Sequence, residues 1–146
     1  MQIHYEAGLR DDAWAELSRL YDRAGFVGKT ESRLKRVFGH SQYQSYAYDG
    51  DTLVAVGRAF SDGGDCAVVC DVAVTPNLQG KGIGKGLVKH LLDQIPPHER
   101  IMLFATLGIE SLYEQFGFGV MTTGMCRFKD QLQAIRSGLI VSGEGR

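Results

Sequence analysis

Cysteine is too sparse here for a disulfide scaffold. Cys66, Cys70 and Cys126 are an odd set of three in 146 residues, whereas small secreted folds carry dense, even sets. Long apolar runs are missing too, with nothing near the roughly 18 residues a spanning helix needs. Residues 1–20 are broken by Glu6, Arg10, Asp11, Asp12, Glu16 and Arg19, which excludes the apolar core of a signal peptide. Charge of one sign is absent: the formal net charge is −1, so no broad basic field points to nucleic acid or an anionic membrane. The expected compartment is the reducing cytoplasm. His4, His40, His90 and His98 are scattered singly and expected at the surface, and no metal is expected.

What is present is ordinary for a folded chain, 44% hydrophobic and 23% charged residues. That is enough to bury a core, and a single domain over residues 1–146 is expected, with 137–146 as a loose tail. Glycine is the unusual number. Nineteen glycines stand against three prolines, and Gly80, Gly82, Gly84 and Gly86 cluster. Glycine costs backbone entropy, so a cluster marks a sharp bend or a close approach.

Alternation of Ile3, Tyr5 and Ala7 predicts a first strand over 2–7, and Asp11 or Asp12 can cap a helix to about Ala24. A second helix fits Thr30 to Phe38. Gln42 to Tyr48 and Thr52 to Phe60 flank Asp49-Gly50-Asp51 and read as a hairpin. Cys66 to Val74 is a run of small and apolar residues interrupted by Asp71, suited to a central strand. Pro76 ends it, the glycine cluster follows, and Ile83 to Ile95 continues at helical spacing until Pro96-Pro97. Ile101 to Thr106 reads as another strand, Ile109 to Phe116 as a short helix, 118–128 as a last strand, and one helical turn follows Lys129. The fold class is therefore α/β, one mixed sheet with helices on both faces.

The stretch that carries chemistry is Gln79-Gly80-Lys81-Gly82-Ile83-Gly84-Lys85, between a strand ending in Val74-Thr75-Pro76 and a helix. Glycines let the backbone aim successive N–H groups at one point, and the helix start adds unpaired donors and a positive dipole end. That is a cradle for phosphate or pyrophosphate, with Lys81 and Lys85 at its rim. A dinucleotide fingerprint G-x-G-x-x-G fails, because Lys85 or Leu87 falls at the third glycine. A P-loop fails as well: Thr75 and Gln79 stand where its first glycine is required.

The spacing that does match is Q-x-x-G-x-G/A, here Gln79 to Gly84 after Val-x-Pro, and it resembles the coenzyme A signature of the GNAT acetyltransferases. Leu112-Tyr113, followed by Gly117-Phe118, is similar to that family's L-Y-x-x-x-G-F element. The resemblance implies an acetyl-CoA-dependent N-acetyltransferase, with a mostly antiparallel sheet and a splayed strand pair at the donor site. It implies that Gln79, Gly80, Lys81, Gly82, Ile83, Gly84 and Lys85 hold the pyrophosphate and that the edge of Val72, Ala73 and Val74 holds the pantetheine arm. Thr106 stands where relatives often carry asparagine toward the pantetheine.

The implied reaction is direct attack of an amine on the thioester, within a ternary complex. An alkylammonium titrates near about 10 and must first lose a proton, while the leaving thiolate gains from a proton donor. Tyr113 matches the family's general-acid tyrosine; the plainer reading is a packing aromatic that bonds coenzyme A. Asp71, the carboxylate inside the buried strand, is a candidate base, directly or through water. Its plainer reading is a structural aspartate bonded to backbone or to a basic residue, and a water relay needs no single base. Cys70 is discounted as a ping-pong nucleophile, since a buried free cysteine more often acts as a small hydrophobe.

The implied partner is a primary amine on a small molecule or peptide. Trp14, Tyr21, Phe26, Val27, Phe38 and Tyr43 are aromatic or apolar candidates for its pocket, with Asp22 and Glu31 as ammonium partners; most of these residues also suit the core. Oligomeric state stays open, with a homodimer admitted. The rival reading is a coenzyme A-binding regulatory module without catalysis, and a nucleotide-binding protein is disfavoured by the failed glycine spacings.

Overall fold

A computed structural model describes residues 1–143; the chain divides into two compact units, Met1–Phe104 and Ala105–Arg146. The first unit is a five-stranded mixed sheet in the order β1-β2-β3-β4-β5. Its strands are β1 (Ile3–Glu6), β2 (Tyr43–Asp49), β3 (Thr52–Ser61), β4 (Cys66–Val74) and β5 (Arg100–Met102). Neighbours are antiparallel through β4, and β4 pairs with β5 in parallel. Helices α1 (Trp14–Arg23) and α2 (Glu31–Gly39) lie between β1 and β2 in the chain, and α3 (Ile83–Gln94) lies between β4 and β5.

Alternation along the strands sorts the core into two faces. Leu17, Leu20 and Tyr21 of α1 and Leu34 and Phe38 of α2 pack with Tyr46, Tyr48, Val56 and Ala73. On the other face Ile83, Leu87 and Leu91 of α3 cover Ala47, Ala55, Ala59, Ala67 and Val69. Gly57 lets α3 approach: a β-carbon there would stand 3.3 Å from Leu87 and 3.2 Å from Val72.

Asp71 breaks the alternation. The ladder runs Arg58↔Cys70 and then Val56↔Ala73, so Gly57 opposes two residues of β4. Asp71 takes up the extra residue at φ 55°, the left-handed region that costs a side-chain-bearing residue about 1–2 kcal/mol. The bulge exchanges faces: Ala67 and Val69 point to α3, but beyond it Ala73 points to α1 and α2.

Most expected elements form, with differences at their ends. Asp11 and Asp12 do not cap α1; they lie in a 3₁₀ turn with positive φ, and Ala13 holds the cap position. Thr30 does cap α2, accepting from the Arg33 N–H at 3.3 Å. β5 stops at Met102 rather than reaching Thr106. Among the described residues 118–128 form no strand. A strand needs a ladder partner, and the segment carries Gly119 and Gly124, which weaken extended structure.

The second unit contains α4 (Glu110–Glu114) and α5 (Gln131–Arg136). Asp130 caps α5 through the Gln133 N–H at 3.0 Å. Gly138, at φ 75°, closes its end with Leu139 N–H to Ala134 and Gly138 N–H to Ile135. The start of the expected loose tail is thus an ordered Schellman cap, and residues 144–146 lie outside the described residues.

Candidate active site

β4 pairs with β5 only through Cys66, Ala67 and Val68. The next six residues, Val69–Val74, continue along β3 while their other edge has no strand partner among the described residues. Val72, Ala73 and Val74, the expected pantetheine-binding positions, belong to this open edge. At its end Thr75 N–H bonds Val54 at 2.8 Å, and Pro76–Leu78 form one 3₁₀ turn. The Gln79 amide reaches back to the Val74 carbonyl at 3.1 Å, tying the loop to the strand it leaves.

The loop then does what its glycines permit. Gly80 (φ 79°) and Gly82 (φ 83°) are left-handed, and a β-carbon at either would meet nothing within 4 Å. Conformation, not crowding, demands glycine there. Gly82 caps α3, whose ladder begins with Gly86 N–H to the Gly82 carbonyl at 3.1 Å. The N–H groups of Ile83, Gly84 and Lys85 therefore precede the ladder, at the positive end of a 12-residue helix. Lys81 and Lys85 are exposed beside them. These groups suit a pyrophosphate, and the open edge suits an extended amide-bearing arm.

Gly86 belongs to a different contact. A β-carbon there would collide with the Tyr5 hydroxyl and ring carbons, and that hydroxyl donates to the Ile83 carbonyl at 3.2 Å. Tyr5 also stacks on His90, with centroids 6.0 Å apart. The fourth glycine thus admits a strand tyrosine that seats the first turn of α3.

Both oxygens of Asp71 are engaged. Lys29 Nζ lies 3.1 Å from Oδ1, while Arg58 donates to Oδ2 from Nε at 3.0 Å and Nη2 at 2.9 Å. The Tyr21 hydroxyl donates to the Asp71 carbonyl at 2.8 Å, and Arg58 Nη1 reaches Ser41 Oγ at 3.2 Å. The bulge is therefore held at its side chain and at its backbone. Cys70 beside it is half-buried; burial pushes its thiol up, against the pull of Arg58, so the neutral thiol is favoured.

Thr106 and Tyr113 belong to the second unit. Thr106 is exposed, and its carbonyl receives the Ile109 N–H at 3.2 Å in the turn before α4. Tyr113 is buried in α4, edge-on to Phe118 with centroids 6.1 Å apart. Burial raises its hydroxyl above the ordinary tyrosine value, so it keeps its proton at neutral pH.

Three of the residues expected at an acceptor pocket, Phe26, Tyr43 and Asp22, are not brought together. Phe26 packs on Tyr21 at 5.2 Å, on the α1 and α2 face. Tyr43 packs with the α3 face, and Asp22 is exposed. A cleft of about 720 Å³ lined by Arg23, Asp49, Thr52 and Thr75–Leu78 contains none of the three. His90 and His98 are not free surface residues: His90 Nδ1 pairs with Ser45 Oγ at 2.8 Å, and the His98 ring bonds Ser61 Oγ.

Sequence reasoning missed Lys29, Arg58 and Tyr5. The one signal available was a carboxylate in a buried strand, which requires cationic partners without saying which ones.

The description of the GNAT acetyltransferase family matches residues 9–118. The chain is 35% identical over 109 residues to the uncharacterized N-acetyltransferase ycf52 of Porphyra purpurea, covering 70% of this chain and 63% of that one. It is 32% identical over 110 residues to a chloroplastic serotonin N-acetyltransferase of rice, covering 71% and 55%. The chain thus spans about three fifths of the length of these curated relatives. Among solved structures, a probable acetyltransferase from methicillin-resistant Staphylococcus aureus superposes with a TM-score of 0.79 at 23% identity, over 88% of this chain and 99% of that one. A Brucella melitensis acetyltransferase solved with acetyl-CoA superposes with a TM-score of 0.65 at 18% identity, over 87% and 92%. A fold with an open β4 edge leading into a glycine cradle, together with a family match over most of its length, makes this chain a member of the GNAT acetyltransferase family.

Proposed function

We propose that the chain is an N-acetyltransferase that moves an acetyl group from acetyl-CoA to a primary amine of a small molecule or peptide. The observation that carries this reading is the continuity of the open Val69–Val74 edge with the cradle at Gly80–Lys85. In it, N–H groups from Gln79 to Lys85 bind the pyrophosphate and Val72, Ala73 and Val74 bind the pantetheine arm. Thr106 adds a contact to that arm. Backbone donors of the open edge stabilise the oxyanion that forms as the amine attacks.

Attack is direct in this reading: burial favours the neutral Cys70 thiol, and among the described residues no histidine is bonded to it to take its proton. Tyr113 protonates the leaving thiolate. Asp71, on the α1 and α2 face, receives the amine's proton directly or through water. Phe26, Tyr43 and Asp22 are split over two faces and an exposed helix position, so they do not form one pocket; Phe26, on the Asp71 face, stays with the acceptor. The three free cysteines suit a reducing compartment, and no described helix is long and apolar enough to cross a membrane.

Thermal-shift titration tests the donor site. Acetyl-CoA and coenzyme A should each stabilise the protein, by about 2.7 kcal/mol at a hundredfold excess over the dissociation constant, while NAD and ATP should not. A folded sample indifferent to both coenzyme A species overturns the reading.

A further inference from the structure

Lys29 is a primary amine held at Asp71, the carboxylate proposed above as the reaction's base. Of the six lysines in the chain, the other five are exposed; the Lys29 side chain is only 19% exposed and its Nζ lies 3.1 Å from Asp71 Oδ1. Its backbone is pinned as well, since Ser18 Oγ donates to the Lys29 carbonyl at 2.6 Å. Arg58 takes Oδ2 through two nitrogens and leaves Oδ1 as the oxygen to which an ammonium can bind. Asp71 belongs to the open stretch of β4, and its partners Lys29, Arg58 and Tyr21 lie toward α1 and α2, the face opposite α3 and the glycine cradle. We place the acceptor on this face, because α3 and the cradle occupy the other. Lys29 fills the position its ammonium would take.

We propose that Lys29 is an internal acceptor, acetylated at Nζ by the chain's own active site when acetyl-CoA binds without a competing amine. This rests on the acetyltransferase reading above. The Lys29 ammonium gives one proton to Asp71, which passes it to solvent. The freed lone pair attacks the thioester carbonyl, the N–C bond forms and the C–S bond breaks. The departing thiolate takes up a proton, so one ammonium and one thioester give one amide, one thiol and one released proton. The amide carries no charge, so Asp71 Oδ1 loses its cation and opens to an external amine. Self-acetylation thereby converts the resting site into one open to its acceptor.

Purified protein is incubated with acetyl-CoA alone, digested with trypsin and analysed by mass spectrometry. Acetylated Lys29 blocks cleavage, so a peptide spanning Ala24–Arg33 and heavier by one acetyl group should accumulate. It should form faster than modification of the five exposed lysines, at a rate independent of protein concentration. Lys29→Arg should abolish it, and Asp71→Asn should slow it by about a hundredfold, the scale of a lost proton acceptor. The modified protein, freed of donor, should melt below the unmodified one, as should Lys29→Gln. Lys29 unmodified, or modified no faster than Lys35, in protein that acetyl-CoA stabilises overturns this inference alone. A rate that scales with protein concentration overturns it too. Failure of acetyl-CoA to stabilise the protein overturns the acetyltransferase reading and this inference with it. If Asp71→Asn does not fold, Lys29→Arg and the concentration series decide the matter.

Discussion

Arg58 reaches Asp71 across the β3–β4 ladder and places two nitrogens, at 3.0 and 2.9 Å, on one oxygen of its carboxylate. The other oxygen is thereby left to Lys29. Both cations and the carboxylate are largely buried, so removing one partner strands charge rather than deleting a surface contact. Arg58→Met should lower stability by about 3 kcal/mol, the scale for breaking a buried pair, measured by urea denaturation. An unchanged midpoint would show that Lys29 and Tyr21 suffice to hold the bulge.

Tyr5 and Gly86 should behave as one unit. Gly86→Ala drives a methyl group into the Tyr5 side chain and should cost about 1–3 kcal/mol, as overpacking does. In the Tyr5→Leu background the same substitution should be nearly neutral, or stabilising through helix propensity. Additive effects in the double-mutant cycle would sink this account.

Gly82→Ala tests the cradle by conformation alone. The residue is left-handed with open space around its missing side chain, so alanine adds strain of about 1–2 kcal/mol without a clash. Relief of that strain turns the N–H groups at the start of α3, so the KM for acetyl-CoA should rise while the KM for the amine stays near its original value. Equal rises in both would place the loop outside the donor site.

Alkaline pH should unfold the protein through its tyrosines. Burial raises Tyr21 well above its ordinary value and raises Tyr46, Tyr48 and Tyr113 as well. The unfolded chain's tyrosines ionise first, near about pH 10. Between that value and the higher folded values the native state binds more protons, so stability falls as pH rises. Below about pH 10 the tyrosines contribute no slope. Melting temperature should therefore drop above that point, together with a rise in tyrosinate absorbance; ionisation of Tyr21, Tyr46, Tyr48 and Tyr113 before the fold melts would contradict their burial.

Local signals and long-range ones fared differently in the sequence. β4 and α3 were readable because an apolar run, a proline and a glycine-rich turn lie consecutively from Cys66 to Gly84. The hairpin at Asp49-Gly50 is local in the same way. The partners of Asp71 were not readable: Lys29 lies 42 residues away and Arg58 lies 13 away, and only the fold brings them together. The bulge was hidden because an extra residue in a ladder changes register without changing composition. The glycine cluster marked a bend or a close approach without saying which glycine served which, since a glycine needed for crowding, as Gly86 is, and one needed for positive φ look alike. The strand expected over 118–128 had extended-looking residues but no paired edge, and β-propensity without a partner settles little.

The most direct test of the central claim is acetyl-CoA-dependent release of coenzyme A thiol across a panel of primary amines, comparing wild type with Tyr113→Phe. The panel includes arylamines, polyamines, amino acids and a peptide amino terminus. At least one amine should drive thiol release at a rate well above the rate without amine. Tyr113→Phe should lower kcat on it by about 10²–10⁴, the range for a lost general acid, while acetyl-CoA still stabilises the variant. Thiol release that no amine accelerates, from protein that binds acetyl-CoA, would contradict the claim and mark the chain as a coenzyme A-binding module.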